Sequence, residues 1–225
     1  MIVAMDGPSG TGKSTVSRRL AIRLGAGYLD TGAMYRAATV WVLDSGIDPE
    51  NAAAVAAIAD AIPLEIGTDP AIESVRLNGL DVGERIRTRE VTAAVSAVSA
   101  VPRIRVILVE QQRRAAAAHD HIVVEGRDIG TVVFPRAEIK IYLTASAEVR
   151  ARRRVGQSGG DYATTLADIE RRDLRDSTRP NSPLRKADDA IEVDTSDLGR
   201  DEVIDRLVGI VEERMGATET RRTHE

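Results

Sequence analysis

The chain has 225 residues, 43% of them hydrophobic, a formal net charge of −4 and no cysteine. That length and apolar content can bury a substantial core as one domain. The lack of cysteine excludes disulfides, thiolate metal sites and thiol nucleophiles, and the acidic balance argues against a general nucleic-acid binder. No run approaches about 18 consecutive apolar residues, and no basic leader precedes an apolar stretch. The expectation is a cytoplasmic monomer bound to neither membrane nor nucleic acid. Lys13, Lys140 and Lys186 are the only lysines, so arginine carries nearly all the positive charge.

Ile2 to Asp6 read as a short buried strand. Gly7-Pro8-Ser9-Gly10-Thr11-Gly12-Lys13-Ser14 then spell G-x-x-x-x-G-K-S, with Thr15 following and an amphipathic run starting at Val16. Strand, glycine loop and helix in that order are the context of a phosphate-binding loop. The glycines let successive N–H groups face one concavity, and the helix N-terminus adds its partial positive charge. Lys13 can reach the β- and γ-phosphates, and the Ser14 hydroxyl can ligate Mg²⁺.

Val16, Leu20 and Leu24 give this helix one apolar stripe, closed by Gly25 and Gly27. Tyr28 to Asp30 read as a second strand, and Ala33 to Asp44 as a helix ended by Gly46. Pro49 to Asp60 read as a further helix capped by Asp48. Between 62 and 87, short β-like pieces separated by Gly, Asp and Pro suggest a small antiparallel insert. Helical pattern resumes from Thr88 to Ala100 and again from Pro102 to about His119, with Ile104, Ile107, Leu108 and Gln111 on one face.

His121 to Val124 is the next strand, leading into Glu125-Gly126-Arg127-Asp128. Ile139 to Leu143 follows as a strand, then an arginine-laden helix from Ser146 to about Val155. Residues 157–161 break the pattern. Thr164 to Thr178 is helical, stopped by Arg179-Pro180-Asn181-Ser182-Pro183. Ala190 to Val193 is the last strand and Asp201 to Met215 the last helix, with a frayed polar tail from Ala217. Alternating apolar strands and helices predict an α/β fold with a parallel sheet flanked by helices.

In such sheets ligands bind at the C-terminal strand ends. Asp6 with the glycine loop, Asp30-Thr31, and Glu125 to Asp128 would meet at one edge. An ordinary surface ion pair is the plain alternative for Arg127 and Asp128. Arg172, Asp176 and Arg179, at i, i+4 and i+7, share a helix face. Arg150, Arg153, Arg154 and Gln157 form a similar set before Ser158-Gly159-Gly160, so the two helices have the form of a hinged phosphate lid. Phosphoryl transfer needs such cations, because its transition state spreads charge over the γ-phosphate oxygens. His119, His121 and His224 are assigned no role.

Taken together, GPSGTGKST at 7–15, DTGAMYR at 30–36, VPRIR at 101–105, EGRDIGTVVFP at 125–135 and RRDLRDSTR at 171–179 resemble the bacterial cytidylate kinases. The resemblance runs from the first strand to about Met215. It implies a P-loop nucleoside monophosphate kinase. The core would be 1–61, 101–149 and 180–216, with an NMP-binding insert at about 62–100 and a lid at about 150–179. The implied reaction is ATP with CMP or dCMP giving ADP and CDP or dCDP, with Mg²⁺.

By the same resemblance, Gly7 to Thr15 hold the ATP phosphates, and Arg36, Arg127 and Arg179 grip the CMP phosphate. Ser96, Arg105 and Asp128 read the cytosine, with Thr31 near it and Tyr35 beside Arg36 on the substrate side. Arg172 and Asp176 contact the sugar. Lys13, Arg127, Arg179 and Arg154 are the cations assigned to catalysis, and which of Arg150, Arg153 and Arg154 meets ATP stays open. Glu125 and Thr31 stand where aspartate and serine are common in the family.

The chemistry of the base agrees. Cytosine presents an N4 amino donor to a carboxylate such as Asp128, and O2 and N3 acceptors to an arginine such as Arg105. Another acceptor, UMP or AMP, is the nearest rival reading. A nucleotide switch is the rival from another class, but neither Lys140 nor Lys186 sits in an N-K-x-D motif.

Overall fold

A computed structural model of the chain describes residues 1–179 and 181–222, with 158 and 217–222 described by backbone alone. Pro180 and His224 lie outside the described residues. Five strands form a parallel sheet: β1 (Ile2–Asp6), β2 (Gly27–Asp30), β6 (Ile122–Glu125), β7 (Ile139–Thr144) and β8 (Ile191–Asp194). Their order across the sheet is β2-β6-β1-β7-β8. β1 lies in the middle, with Met5 opposite Glu125 on one side and Ile141 on the other.

Alternation along the strands divides the core in two. Val3 and Met5 face one layer with Val123, Ile141 and Leu143, covered by α1 (Lys13–Leu24) and α8 (Arg200–Arg222) through Leu20 and Leu207. Ala4, Leu29 and Val124 face the other, under α2 (Thr31–Asp44), α4 (Arg89–Ala100) and α5 (Pro102–Ala117). The segment between α2 and α4 holds α3 (Ala52–Ile58) and the antiparallel strands β3 (Leu64–Ile66), β4 (Val75–Leu77) and β5 (Leu80–Asp81). Asn78 and Gly79, at φ 51° and 74°, make the two-residue turn between β4 and β5. α6 (Ala147–Ser158) and α7 (Tyr162–Thr178) pack on each other, and Asp161 caps the second.

Three expectations are corrected. The helix expected at 49–60 begins only at Ala52, capped by Asn51, and runs as an α-helix to Ile58 and a 3₁₀ turn to Ala61. Asp48 instead accepts the Glu50 N–H at 3.0 Å, a local turn that competes with helix initiation. On α5 the buried face is Ile104, Leu108, Gln112 and Ala116, so Gln112 takes the inward position assigned to Gln111. The last helix continues to Arg222, since nothing from Ala217 onward contains a proline to end it.

Gly7 shows what the turn out of β1 demands. Its φ is 145°, and a Cβ there would stand 2.2 Å from the Leu143 carbonyl oxygen. Gly7→Ala is therefore expected to lower Tm by about 4–8 °C, from backbone strain and clash of about 2 kcal/mol. An unshifted melting curve would show that the loop relaxes freely.

Candidate active site

The three strand-end clusters do meet at one edge, around a cavity of about 380 Å³. Nine basic side chains line it against four carboxylates. In a chain of net charge −4, that concentration of cations marks an anion site.

One wall is the glycine loop. Gly12 takes a left-handed φ of 87° as the N-cap of α1, and no side chain caps that end. The first amides of the helix are left for an anion. Ser9, Gly10, Gly12, Lys13, Ser14 and Thr15 line the cavity. Gly7, Pro8 and Thr11 do not; Thr11 turns inward, its carbonyl accepting from Thr195 Oγ1 at 3.3 Å. Lys13 is 8% exposed. Burial, with Arg127 beside it, pushes its pKa down to about 8.

The second wall is the end of β6. Glu125 is buried, its Oε1 accepting from the Tyr28 hydroxyl at 2.7 Å. Its other oxygen, Oε2, is buried without a hydrogen bond, with Lys13 and Ser14 the neighbours that favour its charge. Burial and the Asp30 carboxylate raise the Glu125 pKa. Arg127 and Asp128 do not pair with each other. Arg127 donates to Asp176 at 2.9 Å and to the Gly7 carbonyl at 2.8 Å. Asp128, 3% exposed, pairs through Oδ2 with Arg105, 6% exposed. Its Oδ1 has the longer 3.7 Å contact with Arg179. The Arg105 guanidinium lies 5.3 Å over the Tyr35 ring.

The α2 end adds Thr31, Tyr35 and Arg36. Asp30 caps α2 through the Ala33 N–H at 2.8 Å and holds Arg36 at 3.1 Å. The Thr31 hydroxyl donates to the Glu125 carbonyl at 2.7 Å. Ser96 faces the cavity from α4.

α6 and α7 form the last wall. Arg153, Arg154, Gln157, Arg172, Asp176 and Arg179 line it. Arg150 does not reach the cavity; it is a buried brace, holding Asp173 at 2.7 Å and the Ser9 carbonyl at 3.2 Å. Burial and the neighbouring Arg127 push the Arg172 pKa down to about 10, and burial with Arg105 lowers that of Arg179. Arg172 Nε and Arg179 Nη2 are buried donors without hydrogen bonds. An anion between them would relieve both the crowding and the missing bonds.

Every residue assigned to substrate thus lines one cavity. Asp30, Glu125 and Gln157, expected in the strand-end clusters and the lid set but given no individual role, line the cavity as well. Sequence reasoning missed Arg87 and Ser99 as lining residues. For Arg87, in the turn before α4, no local pattern could have signalled it.

A parallel sheet carrying a phosphate loop over a cation-lined cleft defines a P-loop kinase. The chain shares that fold with a gluconokinase from Sinorhizobium meliloti 1021, at a TM-score of 0.51 and 13% identity over 97% of this chain and 95% of that one. The cytidylate kinase family model matches residues 3–213. A cytidylate kinase of Rhodococcus jostii (strain RHA1) is 62% identical over 222 residues, covering 96% of this chain and 97% of its own. One of Corynebacterium glutamicum is 58% identical over 217 residues, 94% of each chain. The chain belongs to the cytidylate kinase family.

Proposed function

We propose that the chain transfers the γ-phosphoryl group of ATP to CMP or dCMP, giving ADP and CDP or dCDP. The observation that carries this reading is one cavity joining the phosphate loop to the Arg105–Asp128 pair. A donor end and a base-reading end therefore face each other.

The loop amides and Lys13 hold the donor phosphates. Arg36, Arg127 and Arg179 grip the acceptor phosphate, which already carries the nucleophilic oxygen, so no strong base is needed. Ser96, Arg105 and Asp128, with Thr31, read the base, Tyr35 backs Arg105, and Arg172 and Asp176 meet the sugar. Arg154, presented by α6, with Arg127, Arg179 and Lys13 stabilises charge on the phosphoryl group in flight, while Arg153 is held by Thr195 Oγ1 at 3.0 Å. The α6–α7 pair, about 150–179, acts as the lid, and Gly159 and Gly160, at φ 68° and 110°, make the turn that joins its two helices. The segment at about 62–100 is the NMP-binding insert.

Mg²⁺ fits this donor set. The exposed Ser14 hydroxyl and the unbonded Glu125 Oε2 are hard oxygens beside the loop. Among the described residues no group of three or more His, Cys, Asp or Glu could cage a metal. That suits a cation held mainly by phosphates and water. When bound, it would neutralise phosphate charge.

Among the described residues no single helix is long and apolar enough to cross a membrane. We place the protein as a cytoplasmic monomer acting on free nucleotides, not on nucleic acid. A coupled assay of ADP formation, offering CMP, dCMP, UMP and AMP separately, tests the reading. Turnover is expected with CMP and dCMP. Equal activity on AMP would sink it.

A further inference from the structure

The phosphate and base chemistry of the cleft leaves one carboxylate unused. Asp6 ends β1 and is 5% exposed. Its Oδ1 accepts the Ile129 N–H at 2.8 Å and its Oδ2 the Gly130 N–H at 2.7 Å. Burial pushes its pKa up to about 6 despite those bonds, so a charge at this position costs stability. Strand β1 does not need it for packing, which Val3, Ala4 and Met5 supply.

The two amides open a π-helical turn, Ile129–Val133, directly after Arg127 and Asp128. On the other side of that pair, the Gly126 N–H donates to the Met5 carbonyl at 2.9 Å. Arg127 and Asp128 therefore lie between two tethers to consecutive residues of β1. Asp6 also immediately precedes the phosphate loop, whose Gly7 carbonyl accepts from Arg127. The turn lies close over this anchor, in ordinary contact: a Cβ on Gly130 would stand 3.4 Å from Asp6 Oδ2 and 3.1 Å from Lys140 Cδ.

We infer that Asp6 is a positioning residue: its carboxylate clamps the backbone after Asp128, holding Arg127 and Asp128 at a set distance from the phosphate loop. The inference rests on the reading of that pair as the acceptor-binding one. Asp6 touches neither nucleotide; it aligns the acceptor end with the donor end through the backbone.

Asp6→Asn tests it with almost no change of shape. The amide keeps one acceptor and turns an NH₂ group toward an N–H donor, leaving one tether unpaired. The expected result is KM for CMP raised about tenfold and a reduced ratio of kcat/KM for CMP over UMP. KM for ATP should stay within about twofold. A merely structural cap would lower Tm and the active fraction while leaving KM for CMP and the CMP-to-UMP ratio unmoved, and that result overturns the inference.

Asp6→Ser, whose short hydroxyl can accept from at most one of the two amides and carries no charge to bury, should give the same split if the asparagine variant does not fold. Asp128→Ala is measured beside them. If it raises KM for CMP and neither other variant does, the role of Asp6 alone fails. If it too leaves CMP kinetics unchanged, the acceptor reading of the cleft fails and the inference falls with it.

Discussion

Replacing Lys13 by alanine is expected to remove nearly all turnover while leaving the fold in place. Lys13 is buried at the first turn of α1, where the loop amides converge. Its ammonium is the loop's only side-chain cation. Removing one preorganised charge of this kind typically costs about two to three orders of magnitude in rate. Stability should move the other way or not at all. Burial and Arg127 hold the Lys13 pKa at about 8, below its ordinary value. For a lysine with a lowered folded-state pKa, the charged form costs folding free energy at any pH below that value. Truncation removes that cost, although Glu125, Asp6 and Asp30 lose a counter-charge. Tm at neutral pH is therefore expected to be unchanged or higher, and Lys13→Met, which keeps the stem, should behave alike. A well-folded variant within about tenfold of wild-type turnover would refute the phosphate role.

Asp128→Ala is the second large effect, and it should appear in both stability and specificity. Arg105 is 6% exposed and pairs with Asp128, with a further bond of 3.3 Å to the Ser99 carbonyl. Without the carboxylate, Arg105 and Arg179 face each other as buried charges lacking their shared partner. Breaking a buried pair in this way costs about 3–5 kcal/mol, so a clear fall in Tm is expected.

The kinetic loss with CMP is expected to be about 1–3 kcal/mol, or roughly 5- to 150-fold in kcat/KM. Asp128→Asn separates the two effects. It can still accept from Arg105, so most stability should return. Its NH₂ group, however, can donate to the uracil O4 that a carboxylate opposes. The CMP-to-UMP ratio of kcat/KM is then expected to collapse toward unity. Unchanged kcat/KM for CMP in a folded Asp128→Ala variant would mean that the base is read elsewhere.

Much of the architecture follows from short-range rules. Ile2 to Asp6 are a strand with the limits that their burial and the following Gly7 suggest, and α1, α4, α6 and α7 begin within a few residues of their expected starts. Thr88, Ser146 and Asp161 each accept from the N–H three residues on, capping interactions that neighbouring residues alone decide. Errors arose where local signals competed. Asp48 and Asn51 are both good caps, and only the actual turn at Glu50 chooses between them. On α5, Gln111 and Gln112 are chemically alike, and burial beneath α2 selects the second.

The site divides along the same line. Glycine spacing, Lys13 and the clusters after β1, β2 and β6 mark a nucleotide cleft, because parallel strands must deliver their C-terminal ends to one edge. The pairings that shape the cleft join residues far apart in the chain: Arg105 with Asp128, Arg127 with Asp176, Asp6 with the amides of Ile129 and Gly130. Helical or strand periodicity relates residues a few positions apart and is silent about such partners. Residue order was enough to establish a phosphate loop on a parallel sheet and the motifs of a second nucleotide. Tertiary packing alone decided that Arg127 and Asp128 pair apart, that Arg150 is a brace outside the cavity, and that Arg153 and Arg154 line it, with Arg153 tied to Thr195. It does so because burial forces each charge onto whichever opposite charge or backbone group the fold brings within bonding distance.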